Sequence, residues 1–110
     1  MNDPDFSSIL NAFSSPILIA KPIHDGSKIT DFELVFANES FFSSVNPNIS
    51  NCRKFSDLKD LLTPDIPWID LGDKALNGIF VSPIDYYSEL SNAWFEVQFR
   101  GTADGMIVVN

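Results

Sequence analysis

A strand that turns straight into a capped helix, with no glycine-rich loop between them, constrains this chain more than any other feature. It lies in the stretch Ile29–Phe42, which reads Ile-Thr-Asp-Phe-Glu-Leu-Val-Phe-Ala-Asn-Glu-Ser-Phe-Phe. Phe32, Leu34 and Phe36 alternate with Asp31 and Glu33, the period of two that marks a half-buried strand. At Ala37-Asn38-Glu39 the rhythm changes. Phe41, Phe42 and Val45 follow at helical spacing, and Pro47 ends the run. Asn38 is suited to cap that helix, because its side-chain oxygen can accept a hydrogen bond from a first-turn N–H. Glu39 then stands where the helix dipole favours a negative charge.

A chain of 110 residues is one domain by length, with room for a single modest core. Ten Phe, two Trp and two Tyr are many for that size, so either the core is aromatic or some rings face a partner. Seven Lys and Arg against fifteen Asp and Glu give a net charge of −8, with no basic cluster. That balance argues against nucleic acid and anionic membrane surfaces. Cys52 is the sole cysteine, which excludes an internal disulfide and suits a reducing compartment. The N-terminus shows no basic region followed by an apolar run, and the longest apolar stretches, such as Ile17–Ala20, are too short to span a bilayer. A cytoplasmic location is expected.

In chain order, Asp5–Ser14 reads as an amphipathic helix, with Phe6, Ile9, Leu10 and Phe13 on one stripe, Asp3 or Asp5 as its cap, and Ser15-Pro16 as its stop. Residues 1–15 are thus expected as a flanking helix and 16–110 as the domain proper. Ile17–Lys21 is a first strand closed by Pro22, and Asp25-Gly26-Ser27 a turn. Ser56–Leu62 is a short helix, capped by Ser56 or Asp57. Thr63 and Pro64 start another over about Asp65–Asn77, stopped at Asn77-Gly78. Ile79–Tyr87, Ala93–Arg100 and Met106–Val109 are strands, the first confined to an edge or bulged by Pro83. Helices gathered mid-chain between strands give an α+β fold, an antiparallel sheet with helices on one face.

That order, with its punctuation, resembles the PAS (sensory box) domain family. The residues that carry the resemblance are Ser15-Pro16-Ile17-Leu18, Asp25-Gly26, Val35–Phe41, Asp60-Leu61-Leu62-Thr63-Pro64-Asp65, Ala93–Val97 and Asp104-Gly105-Met106-Ile107. It covers roughly residues 15–110. The resemblance implies a five-stranded antiparallel sheet in the spatial order 2-1-5-4-3, short helices on one face, and a small cavity between the layers. It also implies a non-catalytic sensor or interaction module of a bacterial signal-transduction protein. Such a module acts through dimer geometry on a downstream output domain, a histidine kinase or a cyclic-dinucleotide enzyme. Domains of the family end on an acidic residue after the last strand, so a chain stopping at Asn110 is expected to be a piece of a longer protein.

The alternative is a light or redox sensor carrying flavin or haem. Light-sensing members have an Asn-Cys-Arg-Phe-Leu-Gln motif; here Asn51-Cys52-Arg53 is followed by Lys54-Phe55-Ser56, and the last strands lack the residues that hold the flavin ring. Haem-binding members use a histidine on the long helix, whereas His24 precedes the Asp25-Gly26 turn. Neither cofactor is supported by motif, no cofactor is expected, and Cys52 is expected to be inert. One His and one Cys far apart give no metal spacing, and the Ser-rich segments lack a histidine base, so no catalytic or metal residues are assigned. A small-molecule ligand would be lined by Phe36, Phe41, Trp68, Leu71 and Phe95. A homodimer would use Phe6, Ile9, Leu10, Phe13 and Trp94, the last on the polar face of its strand.

Overall fold

In the computed structural model, which describes residues 6–110 with side chains from Ser8 onward, helix α1 (Phe6–Asn11) precedes strands β1 (Leu18–Asp25) and β2 (Lys28–Ala37). The Asp3 and Asp5 caps expected for α1 lie outside the described residues. β1 and β2 form a hairpin in which Gly26 takes a left-handed φ of 65°. β1 does not stop at Pro22 as expected. It continues to Asp25, with Pro22 opposite Phe32. Its other neighbour reaches only Ala20, so from Lys21 onward that side is an edge and the missing proline N–H costs no ladder bond.

β2 runs directly into α2 (Glu39–Ser44), followed by a 3₁₀ turn at Pro47–Asn51, α3 (Phe55–Leu61) and α4 (Trp68–Leu76). α4 starts at Trp68 rather than near Asp65. Pro67 disfavours the helical conformation at Ile66, so the helix begins only after it. Thr63 accepts instead from the Asp65 N–H in a local turn, and its carbonyl takes the indole N–H of Trp68 at 3.1 Å. Gly78 at φ 77° ends the helix as expected.

α3 is fastened from two directions. Asp57 Oδ2 accepts from the backbone N–H groups of Arg53 (2.9 Å) and Lys54 (3.1 Å). Asp31 on β2 accepts from the Ser56 N–H at 3.2 Å. The Arg53 and Lys54 bonds hold the Asp57 carboxyl below the ordinary carboxylate range, with the Lys54 charge helping. A depressed folded-state value makes the contribution present above about pH 4 and lost as pH falls through the folded value. Because Asp57 is solvent-exposed, the effect is modest. Asp57→Asn should therefore lower stability slightly at neutral pH and flatten the acid limb of a urea-midpoint-versus-pH curve below about pH 4. An unchanged acid limb would remove Asp57 from the account.

The last third gives β3 (Ile84–Ser88), β4 (Ala93–Val97), β5 (Phe99–Gly101) and β6 (Ile107–Val109). The strand expected over Ile79–Tyr87 is shorter, because the segment before Pro83 has no strand partner; it buries Val81 in the core and leaves Phe80 84% exposed. The five-stranded sheet is also corrected. The strands form a four-stranded antiparallel sheet, β2-β1-β6-β5, and a separate antiparallel ribbon, β3-β4. The expected strand Ala93–Arg100 divides at Gln98. Its N–H and C=O bond to Asn110 at 2.7 and 3.0 Å, so the ladder with β6 reaches Gln98, and among the described residues Ala93–Val97 pair with β3 alone. The ribbon is fastened instead to the end of α2. The buried Ser88 hydroxyl donates to the Ser44 carbonyl at 2.9 Å, and the Ser91 hydroxyl donates to the same oxygen.

One core joins the sheet to the helices, and the architecture is α+β. At its centre Phe55 lies 4.9 Å from Phe32, 6.3 Å from Trp68 and 6.4 Å from Phe99, ring centre to ring centre. α4 passes over them through Gly72, where a Cβ would stand 2.7 Å from the Phe32 ring. At Gly101 a Cβ would meet the Ala75 carbonyl oxygen at 2.6 Å, so a bare backbone lets α4 approach β5. Among the described residues no helix is long and apolar enough to cross a membrane.

Candidate functional site

The hydrogen bonds that converge on Asn38 set the geometry here. Asn38 caps α2 as its position implies, with Oδ1 accepting from the Phe41 N–H at 3.1 Å. The same oxygen accepts from the Ile17 N–H at 2.8 Å. Nδ2 donates to the carbonyls of Ser15 (2.9 Å) and Leu10 (3.1 Å). Both donors and both lone-pair directions are thus used, in a side chain with 0% exposure. A second tie runs beside it, since Asn11 Oδ1 accepts from the Glu39 N–H at 2.8 Å. The segment from α1 to β1 is therefore held to the strand-to-helix corner by side-chain hydrogen bonds.

Next to this corner, between sheet and helices, is an opening of about 120 Å³ with almost wholly apolar walls. Phe41 from α2, Trp68 from α4 and Phe95 from β4 line it, as expected, together with Leu18, Val97 and Val109. Ser15 and Pro16 stand at its rim, so the stretch whose carbonyl Asn38 holds is also a wall of the opening.

Two expected lining residues are elsewhere. Phe36 does not face the cavity. A bulge at Val35 places Ile19 opposite Phe36 and Ala20 opposite Leu34, so the alternation slips by one and Phe36 turns to the other face of the sheet. Leu71 is half-buried against the core from α4 and does not reach the opening. Tyr86 of β3 lies at the rim and was missed. Its signal was the alternation of Ile84 and Tyr86, hidden when the unpaired Ile79–Pro83 segment is read as part of the same strand. Burial, and then the Glu89 charge, pushes the Tyr86 hydroxyl above its ordinary range.

A void of this size matches a benzene ring and falls short of the roughly 300–1,000 Å³ typical of small-molecule sites. It admits a small apolar group, and the ring systems of flavin and haem do not fit it. Four larger hollows, of about 470, 440, 280 and 140 Å³, are more open to the surface; of the five expected lining residues, Trp68 also borders the third and Phe36 the fourth. Cys52 is half-buried between the 3₁₀ turn and α3, where burial and then the Asp57 charge push its thiol up and lower its thiolate content. His24 is exposed near the end of β1. Among the described residues no three His, Cys, Asp or Glu gather as metal ligands would.

Of the residues expected at a dimer contact, Ile9 is 48% exposed, Phe13 53% and Trp94 71%. Leu10 is half-buried, and the Phe6 side chain lies outside the described residues. Trp94 lies on the outer face of the ribbon with its ring centre 5.3 Å from that of Tyr87. Comparison with models of protein families, with curated proteins and with solved structures returned no match to this chain.

Proposed function

We propose that this chain is a non-catalytic sensor and interaction module of a bacterial-type signal-transduction protein, acting on a downstream output domain through the geometry of a dimer. One observation carries the reading. The apolar opening and the anchor of α1 share the segment Ser15-Pro16, held to Asn38 at one end and exposed to the cavity at the other. Whatever enters the opening meets the same backbone that positions α1. Occupancy thus biases where α1 lies, and α1 and the loop after it present Ile9 and Phe13 to a second copy. A ligand that favours one position shifts the equilibrium by its differential affinity for the two positions, which is the physical content of sensing here.

Sedimentation equilibrium over a concentration series tests the proposal. The native chain is expected to associate, and the Ile9→Asp, Phe13→Asp pair to abolish that association with the fold intact by circular dichroism, because both side chains are exposed. A monomeric native chain, or an association indifferent to the pair, would refute the dimer mechanism.

A further inference from the structure

The groove of about 440 Å³ between the ribbon and the ends of α2 and α3 falls within the range typical of small-molecule sites. Three separate parts of the chain wall it, all within residues 45–90: Asn46 and Asn48 after α2, Leu61 and Leu62 at the end of α3, and Tyr86 and Glu89 of the ribbon. The ribbon wall is fixed in place. The hydroxyls of Ser88 and Ser91 both donate to the Ser44 carbonyl. The Tyr87 hydroxyl donates to Asn92, which takes a left-handed φ of 51°. These ties close the turn that carries Glu89 and Leu90 and hold it against the end of α2. Val45, Leu62 and Tyr86 also wall the apolar opening, so the two hollows share a partition.

We propose that this groove binds a small organic cation, a primary amine on a short apolar stem. Its walls offer acceptors and no positive charge. No Lys, Arg or His borders it, and Glu89 is its one carboxylate. The ion pairs among the described residues are Lys21–Glu33 and Lys74–Asp70, which leave Glu89 without a cation. α2 and α3 both end at the groove, with Val45 and Leu62 as their caps, and the last carbonyls of a helix have no partner within it. An anion would meet this set unpaired, which excludes phosphates and carboxylates as occupants. One carboxylate is too few to hold a metal ion, whereas Leu61, Leu62 and Leu90 beside it suit an organic stem. Tyr86 and Tyr87 add aromatic wall, which also favours an ammonium group. Burial and then the Glu89 charge raise the Tyr86 hydroxyl, so that charge is felt at the shared partition. The net charge of −8 draws cations toward the chain at longer range.

The probe is 2-phenylethylamine, titrated into the 110-residue chain by amide NMR at constant pH and ionic strength. Saturable binding at about 1–10 mM is expected, with amide shifts at Asn46, Leu62 and Glu89. 2-Phenylethanol, of similar shape without the charge, should bind about threefold more weakly or worse, and 3-phenylpropanoate should not bind. Glu89→Gln, at an exposed position, should weaken the amine about threefold or more and leave the alcohol unchanged. Glu96→Gln removes the same charge from the outer face of the ribbon and should change neither. Equal weakening by the two substitutions would overturn the proposal, by reducing the effect to net charge. So would an alcohol that binds as tightly as the amine, shifts that gather at Leu18, Trp68 and Val109 of the apolar opening, or no saturation below about 50 mM. Acetyl-lysine methylamide binding more tightly than the free amine would overturn it too, by making a protein side chain the occupant. Neither Ile9 nor Phe13 borders the groove, so this proposal and the α1 dimer fail separately.

Discussion

Asn38→Leu is expected to destabilise the protein by about 3–5 kcal/mol and to lower its Tm by more than ~10 °C. The change removes four side-chain hydrogen bonds at once, to Ile17, Phe41, Leu10 and Ser15. The net value of each is about 1 kcal/mol, and the backbone groups left behind are shielded from water and carry the larger desolvation cost. Asn38→Asp is the more informative partner. A carboxylate keeps the two acceptor positions and sets two oxygens against the carbonyls of Ser15 and Leu10, in a site with 0% exposure. Its folded-state pKa must rise, so this variant should regain stability as pH falls through that raised value. Hydrogen exchange adds a local readout, since amides from Leu10 to Ile17 should lose protection more than those of α4. If Asn38→Leu melts within about 2 °C of the native chain, the corner is not held as described.

Phe55→Ala should cost about 3–5 kcal/mol, as large-to-small changes at fully buried aromatic positions do. Phe55 touches the rings of Phe32, Trp68 and Phe99, which come from β2, α4 and β5. The cavity it leaves cannot collapse easily, because α4 already sits as close as Gly72 allows. Trp68 offers a direct probe, as its emission should shift to the red while that of the exposed Trp94 does not. Phe80→Ala, at the most exposed ring, should stay within about 0.5 kcal/mol of the native chain in the same urea titration. Equal effects at the two positions would mean that burial does not rank the aromatics of this chain.

The candidate site was readable in part. Phe41, Trp68 and Phe95 fall on apolar faces whose phase is set by uninterrupted local periodicity, and all three line the opening. Phe36 belongs to an equally regular pattern and still points elsewhere. Its face depends on how β2 pairs with β1, and one extra residue at Val35 reverses it. The cap at Asn38 was visible from its place before Glu39 and Phe41. Its further bonds to Leu10, Ser15 and Ile17 were not, because they join residues 21–28 positions away in sequence.

The sequence alone determined the α+β class and the approximate places of most helices and strands, since hydrophobic period, caps and prolines act over a few neighbouring residues. It determined as well that the chain is acidic and aromatic-rich. Only the tertiary structure decided that four strands and a two-stranded ribbon replace one five-stranded layer, and that the amides of Asn38 and Asn11 hold α1 to the corner. Those outcomes turn on register and on buried hydrogen bonds. Each is a contest between distant segments, and a local pattern carries no term for it.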